Sequence, residues 1–242
     1  NDVDATAITA SELSAIGGST TGTVTVTNAV AITGDHDQLT AALVTSGTKV
    51  EVSDAAVTVS DADATGITAS ELSAIGGSTT GTVTVTNAVA ITGSAEEATA
   101  ALVTSGTLVV VSDAAVTIND TPTITELNNI AAKTTGVVTA TLAANSLANL
   151  AALTTAGTDA ITITVNDADA SALTAANLST LGGKTAGTVT VTNAVAITGD
   201  HDQLTAALVT AGTKVEVSDA TVTVNDVDAT AITASELSAI GG

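Results

Sequence analysis

The sequence predicts a repeat solenoid of the α/β class. It is expected to be right-handed, with a short helix and parallel strands in each rung of about 28 residues, and an all-β solenoid is the alternative. Three observations predict it. Long stretches recur unchanged: ASELSAIGGSTTGTVTVTNAVAITG stands at 10–34 and again at 69–93, and TVTVTNAVAITGDHDQLTAALVT at 23–45 and 188–210. A helix-start signature returns at regular intervals. Eleven residues past the anchor of nearly every signature, a β-branched residue opens an alternation of period two.

The anchors are Leu13, Leu39, Leu72, Ala98, Leu127, Leu150, Leu178, Leu204 and Leu237. Four residues before each stands Ser, Thr or Asp, and one residue before stands Glu, Gln or Asn. That is capping-box spacing: the N-cap side chain takes the N3 amide, and the N3 side chain returns to the N-cap amide. Glycines such as Gly17, Gly18, Gly22 and Gly47 then stop the helix and turn it into strand. TVTVT at 23–27 and KVEVS at 49–53 alternate, Val inward and Thr, Lys or Glu outward. VAI at 30–32 and VTV at 57–59 supply a second, shorter alternation. Val24, Val26, Val50, Val52, Val83 and Val85 are expected to line one buried ladder beneath Leu13, Leu39 and Leu72. A single rung cannot bury both its helix and its strands, whereas stacked rungs can.

The repeats divide residues 1–242, read as one continuous solenoid segment, into units 1–59, 60–118, 119–165 and 166–224, and residues 225–242 repeat residues 1–18. The identical ends lead to the expectation that the molecule continues, as one very long polypeptide or by association with itself. The 47-residue unit at 119–165 is the irregular one and holds the only proline, Pro122.

Composition narrows the function. Hydrophobic residues make up 45% of the chain, yet Phe, Trp, Tyr, Met and Cys are absent, so Ala, Val, Ile and Leu form any core alone. Asp and Glu number 25 against four Lys, for a net charge of −21. Nucleic acid binding needs basic residues to displace counterions, and anionic membranes repel such a chain. No run of apolar residues is long enough for membrane insertion. The expected partners are the chain itself and divalent cations. An enzyme is not expected: there is no Cys, the two His fall in no triad pattern, and a repeated motif is not one unique place.

The acidic pairs Asp2 and Asp4, Asp61 and Asp63, Asp167 and Asp169, and Asp226 and Asp228 sit in NDVDAT-like loops, which supply the residues that lengthen some rungs. They are the candidate metal ligands, with calcium as the ion, because calcium takes six to eight oxygens that carboxylates and loop carbonyls can share. The competing reading is that Asp and Asn only make turns and caps. His36 and His201, each within GDHDQL, read as solvated helix-start residues. Lys49 with Glu51 and Lys214 with Glu216 are expected to pair locally. Thr23, Thr25 and Thr27 suggest a threonine face of the kind that binds ice, but Lys49, Glu51 and Ser53 interrupt it on the next rung.

The recurring TASELSAIGGSTTGTVTVTNAVAITG and VEVSDAAVTV segments resemble the arrays in giant repetitive cell-surface proteins of marine cyanobacteria, including the type linked to swimming motility. The resemblance implies an extracellular, cell-surface structural role and brings no catalytic residues. The expected function is a structural segment of a long surface fibre. The alternative is a calcium-dependent adhesin or surface-layer binding module, and ice binding ranks below both.

Overall fold

The computed structural model describes residues 3–228 and 230–241. The chain is α/β, with short strands alternating with one- and two-turn helices, which removes the all-β alternative. Two compact units form: Asn1–Asp120 with Asn129–Val138, and Thr121–Asn128 with Thr139–Gly242.

In the first unit β1 (Ala7–Thr9) leads into α1 (Ala10–Gly17), followed by β2 (Val24–Val26), β3 (Ala31–Gly34) and α2 (His36–Leu43). Then come β4 (Val50–Val52), β5 (Ala56–Val59), β6 (Gly66–Thr68) and α3 (Ala69–Gly76). After them come β7 (Val83–Val85), β8 (Ala90–Gly93), α4 (Ala95–Leu102), β9 (Val109–Val110) and β10 (Ala115–Ile118). Next are α5 (Ile124–Ala131) and β11 (Val138–Thr141), which have residues in both units. The second unit continues with α6 (Leu147–Leu150), β12 (Ala160–Val165), β13 (Ala172–Thr174) and α7 (Ala175–Gly182). It closes with β14 (Val189–Val191), β15 (Ala196–Gly199), α8 (His201–Leu208), β16 (Glu216–Val217), β17 (Thr221–Val224) and α9 (Ala234–Gly241).

The helices start where their caps dictate. Capping boxes close at Thr9–Glu12, Asp35–Gln38, Thr68–Glu71 and Ser94–Glu97. They close also at Thr123–Glu126 and Thr233–Glu236. Ser146, Thr174 and Asp200 accept only the N3 amide. The anchors Leu13 through Leu204 are buried, while Leu237 remains 46% exposed.

Each strand pairing is parallel. In the first unit Ala7 faces Ala31, Ala31 faces Ala56, Val57 faces Val83 and Val83 faces Val109, so the chain returns to its neighbour after 24 to 26 residues. In the second unit Ala172 faces Ala196 and Ile163 faces Val189, separations of 24 and 26, and Thr139 faces Ala160 after 21. The return is therefore shorter than the 28 residues expected from anchor spacing. The ladder sets the return, and the acidic loops do not lengthen it. They advance the helix along the path instead. In the first unit, β1 and β3 each run into a helix, whereas β5 runs into the loop Ser60–Thr65 and then into β6, which carries α3. β5 consequently pairs with β7, a strand that follows a helix.

That shift divides the expected valine ladder. Val24 pairs with Val50 and Val26 with Val52, but Val83 pairs with Val57 and Val85 with Val59, in a different sheet. It also changes the threonine rows. Thr25 faces Glu51 as expected, yet Thr9, Thr33, Thr58 and Thr84 stand in one unbroken row.

Ala5, Ala64 and Ala170 adopt left-handed backbone with φ near 60°. Each holds the third position of a tight turn, as in the turn closed by the Thr65 amide donating to the Ala62 carbonyl at 3.1 Å. Such a conformation costs a side chain about 1–2 kcal/mol and costs most with a β-branched one. Ala64→Val is expected to lower unfolding free energy by roughly 2 kcal/mol and Ala64→Gly to leave it level or slightly higher, read by urea titration. Equal stability for both variants contradicts this account.

Candidate functional site

The acidic loops tie neighbouring passes of the chain together. Asp61 is 6% exposed. Its Oδ2 accepts the His36 amide at 2.8 Å, and its Oδ1 lies 2.7 Å from His36 Nδ1. It thus caps the helix α2 that lies 25 residues earlier, where the unsatisfied amides and the helix dipole favour a carboxylate. Asp63, two residues on, turns the other way and accepts the Ala88 amide at 3.0 Å. The second unit repeats the arrangement. Asp167 accepts the Leu147 amide at 2.7 Å and Asp169 the Ala194 amide at 3.1 Å. Asp226 accepts the His201 amide at 3.0 Å and meets His201 Nδ1 at 2.6 Å. Asp4 and Asp228 are exposed turn residues, and Asp2 lies outside the described residues.

Asp120, which the sequence reading did not single out, belongs to the same set: it accepts the Ala95 amide of α4 at 2.8 Å. Its recurrence at the place of Asp61 was the available signal.

The histidines are not solvated residues. Their side chains are 16% exposed, wedged between two carboxylates. Burial lowers the His36 pKa, but the hydrogen bond and charge of Asp61, with Asp37 and Glu71, outweigh it and hold the group above its ordinary 6.5. The Asp226 hydrogen bond raises His201 against its burial, helped by the charges of Asp226, Asp202 and Glu236. The His201 hydrogen bond in turn lowers Asp226. Among the described residues the ion pairs are those of the histidines, and Lys49–Glu51 and Lys214–Glu216 do not form. Exposed pairs of long side chains gain too little to be held in one geometry.

A second set of contacts uses threonine and glycine, at corners read from the sequence only as turns. The Thr79 hydroxyl donates to the Ala55 carbonyl at 2.8 Å, and the Thr80 amide and hydroxyl both donate to the Ser53 carbonyl, at 2.9 and 2.8 Å. Gly81 follows, with its backbone so near this corner that a Cβ there would lie 2.2 Å from the Ala55 oxygen. Thr134, Thr135 and Gly136 repeat these contacts on Ala114 and Ser112. Thr-x-Gly recurs along the sequence, but it does not single these corners out, since Gly47, Gly106 and Gly212 stand in the same motif with nothing within 4 Å of a Cβ.

Among the described residues no group of three or more His, Cys, Asp or Glu is placed to hold a metal ion. The carboxylates of Asp61 and Asp63, and those of Asp167 and Asp169, face opposite neighbours and already accept amides. Melting in calcium and in magnesium at matched ionic strength is therefore expected to rise equally, as relief of the −21 charge requires. A rise confined to calcium, reversed by chelation, would show a specific site. No described helix is long and apolar enough to cross a membrane. Comparison with protein-family models, with curated proteins and with solved structures returned no match.

Proposed function

We propose that the chain is a segment of a right-handed α/β solenoid within a long extracellular, cell-surface fibre, in which the repeated turn is itself the function. The observation that carries this reading is the recurrence of the same bonds between neighbouring passes. An aspartate caps the helix 20 to 25 residues behind it at Asp61, Asp120, Asp167 and Asp226. Selection for an active site concentrates chemistry at one place, whereas here the polar chemistry is distributed and spent on holding one turn to the next. An acidic surface without aromatic residues, Met or Cys suits material exposed to oxidants and left in solution. Antibody raised to the 242-residue chain is expected to label extended filaments at the surface of intact source cells in electron microscopy. Labelling confined to the cell interior or to compact particles overturns the proposal.

A second reading, that of a surface binding module, is favoured by one feature. In the second unit α6 has four residues where the other helices have eight, and a cleft of about 290 Å³ opens beside it. Leu147, Leu150, Leu173, Leu181 and Lys184 are among the residues that line it. Anilinonaphthalene sulfonate, an apolar anion, tests it: saturable binding abolished by Lys184→Glu supports a ligand site, and absence of saturable binding removes it.

A further inference from the structure

Two helices of unequal length make the cleft of the second unit. α7 packs on α8, which matches its eight residues, and on α6, which has four. Part of one flank of α7 is therefore left open. Asn177, Thr180 and Leu181 share that flank by their spacing of three and four residues, and Lys184 follows the C-cap Gly183. Leu147 and Leu150 of α6, with Leu173 of β13, complete an apolar floor.

The repeat itself changes where the cleft opens. Residues 174–185 read TAANLSTLGGKT, where 9–20 and 68–79 both read TASELSAIGGST. The residues that differ are Ala176, Asn177, Thr180, Leu181 and Lys184, and all but Ala176 line the cleft. Two of these changes alter charge, and both in the same direction. Asn177 stands where Glu12 and Glu71 stand, and Lys184 where Ser19 and Ser78 stand. Among the described helices only α6 and α7 carry no acid in the first turn. In a chain of net charge −21 this is a place from which negative charge has been removed.

Most polar groups of the cleft are already spent. Asp167 accepts the Leu147 amide, Thr174 accepts the Asn177 amide, and Thr180 donates to the Ala176 carbonyl. The Lys184 ammonium and the Asn177 carboxamide have no partner among the described residues. What is left to a ligand is a leucine floor and hydrogen-bond donors, one of them charged.

We propose that this cleft binds an aliphatic carboxylate of medium chain length, with its chain along the leucine floor and its carboxylate on Lys184. An eight-residue helix spans about 12 Å, which suits a chain of roughly eight carbons. The cleft volume of about 290 Å³ is in keeping with a ligand of that size. Burial of the chain supplies affinity, and Lys184 selects the head group, because an ammonium and a carboxylate make the stronger class of hydrogen bond.

This deepens the binding-module reading and rests on the cleft being a ligand site. Titration calorimetry of the full 242-residue chain tests it, with hexanoate, octanoate and decanoate below their micelle-forming concentrations, and with octanol, octylammonium and anilinonaphthalene sulfonate. Octanoate is expected to bind more tightly than octanol or octylammonium. Affinity is expected to rise about fourfold per added carbon until the floor is filled and then to level off. The double variant Asn177→Glu with Lys184→Ser restores the residues of the other repeats. It is expected to melt no lower than the parent, since the box that Glu71 closes with Thr68 becomes available to Thr174. It is also expected to bind octanoate about tenfold more weakly or worse and octanol as the parent does. Octanol or octylammonium binding as tightly as octanoate, while anilinonaphthalene sulfonate still saturates, overturns the carboxylate and leaves the site. A variant that loses octanol and octanoate equally gives Lys184 a structural role and overturns the proposal. Absence of saturable binding by every probe removes the proposal and the binding-module reading together.

Discussion

Gly81→Ala is expected to lower the unfolding free energy of the chain by about 3 kcal/mol or more, and its melting temperature by roughly 10 °C. The added methyl would lie 2.2 Å from the Ala55 oxygen and 2.6 Å from the Asp54 oxygen. Neither obstacle is a side chain that can swing aside. Both are backbone of the neighbouring pass, and the Ala55 carbonyl already receives the Thr79 hydroxyl. Relief requires the two passes to separate, which stretches the Thr80–Ser53 bonds and the β5–β7 ladder together. Gly106→Ala supplies the control, since a Cβ there meets nothing within 4 Å. It is expected to change stability by less than about 0.5 kcal/mol. Thermal melts of the two variants decide the matter, and equal losses refute the close approach.

The second large effect belongs to Asp61. Asp61→Ala removes the acceptor of the His36 amide and of its imidazole in one step and leaves both in a setting that water reaches poorly. The expected loss is about 2 kcal/mol, the range for charge-assisted bonds whose partner remains behind. Asp61→Asn retains an acceptor for the amide but no charge, so it separates capping from ion pairing. The pH dependence has a definite sign. The His36 pKa is raised in the folded chain, so the stability it brings is fully present below 6.5 and is lost as pH rises through the elevated value. His201 follows the same course. Glu12, Glu71, Glu126 and Glu236 are lowered from 4.5, chiefly by the hydroxyls of Thr9, Thr68, Thr123 and Thr233, so their contribution is present above 4.5 and is lost as pH falls. Maximal stability is thus expected between about 4.5 and 6.5, on the acid side of neutrality. Urea titrations from pH 4 to 9 check this. Removing Asp61 is expected to flatten the alkaline limb. The His36 resonance of Asp61→Asn titrating at its parental pKa would refute the pairing.

Much of the local structure was legible in the residues. Cap spacing is a short-range property, decided by the reach of one side chain to an amide three positions on, and the helices begin where Thr9, Asp35, Thr68 and Ser94 place them. The alternation of TVTVT likewise settled which side of each strand turns inward, because successive side chains of a strand point to opposite faces. The parallel pairing of Val24 with Val50 followed from a repeat that leaves no room for a hairpin.

What the residues left open was the partner across each gap. Anchor spacing mixes two lengths, the return of the ladder and the advance of the helix, and only their total is visible in the sequence. Hence Val83 stands on Val57 rather than in line with Val50. Asp61 and Asp63 look alike in the sequence and take opposite partners, His36 behind and Ala88 ahead. By itself the sequence determined where the short capped helices begin and which strand residues turn inward, since those choices rest on contacts within a few residues, while the all-β alternative was removed only by the structure. Only the tertiary structure decided which aspartates cap which helices, which glycines must be glycine, and that His36 and His201 are held between carboxylates. Those outcomes depend on groups 20 to 27 residues apart meeting at one corner, and a distance of that kind is set by the path of the whole turn.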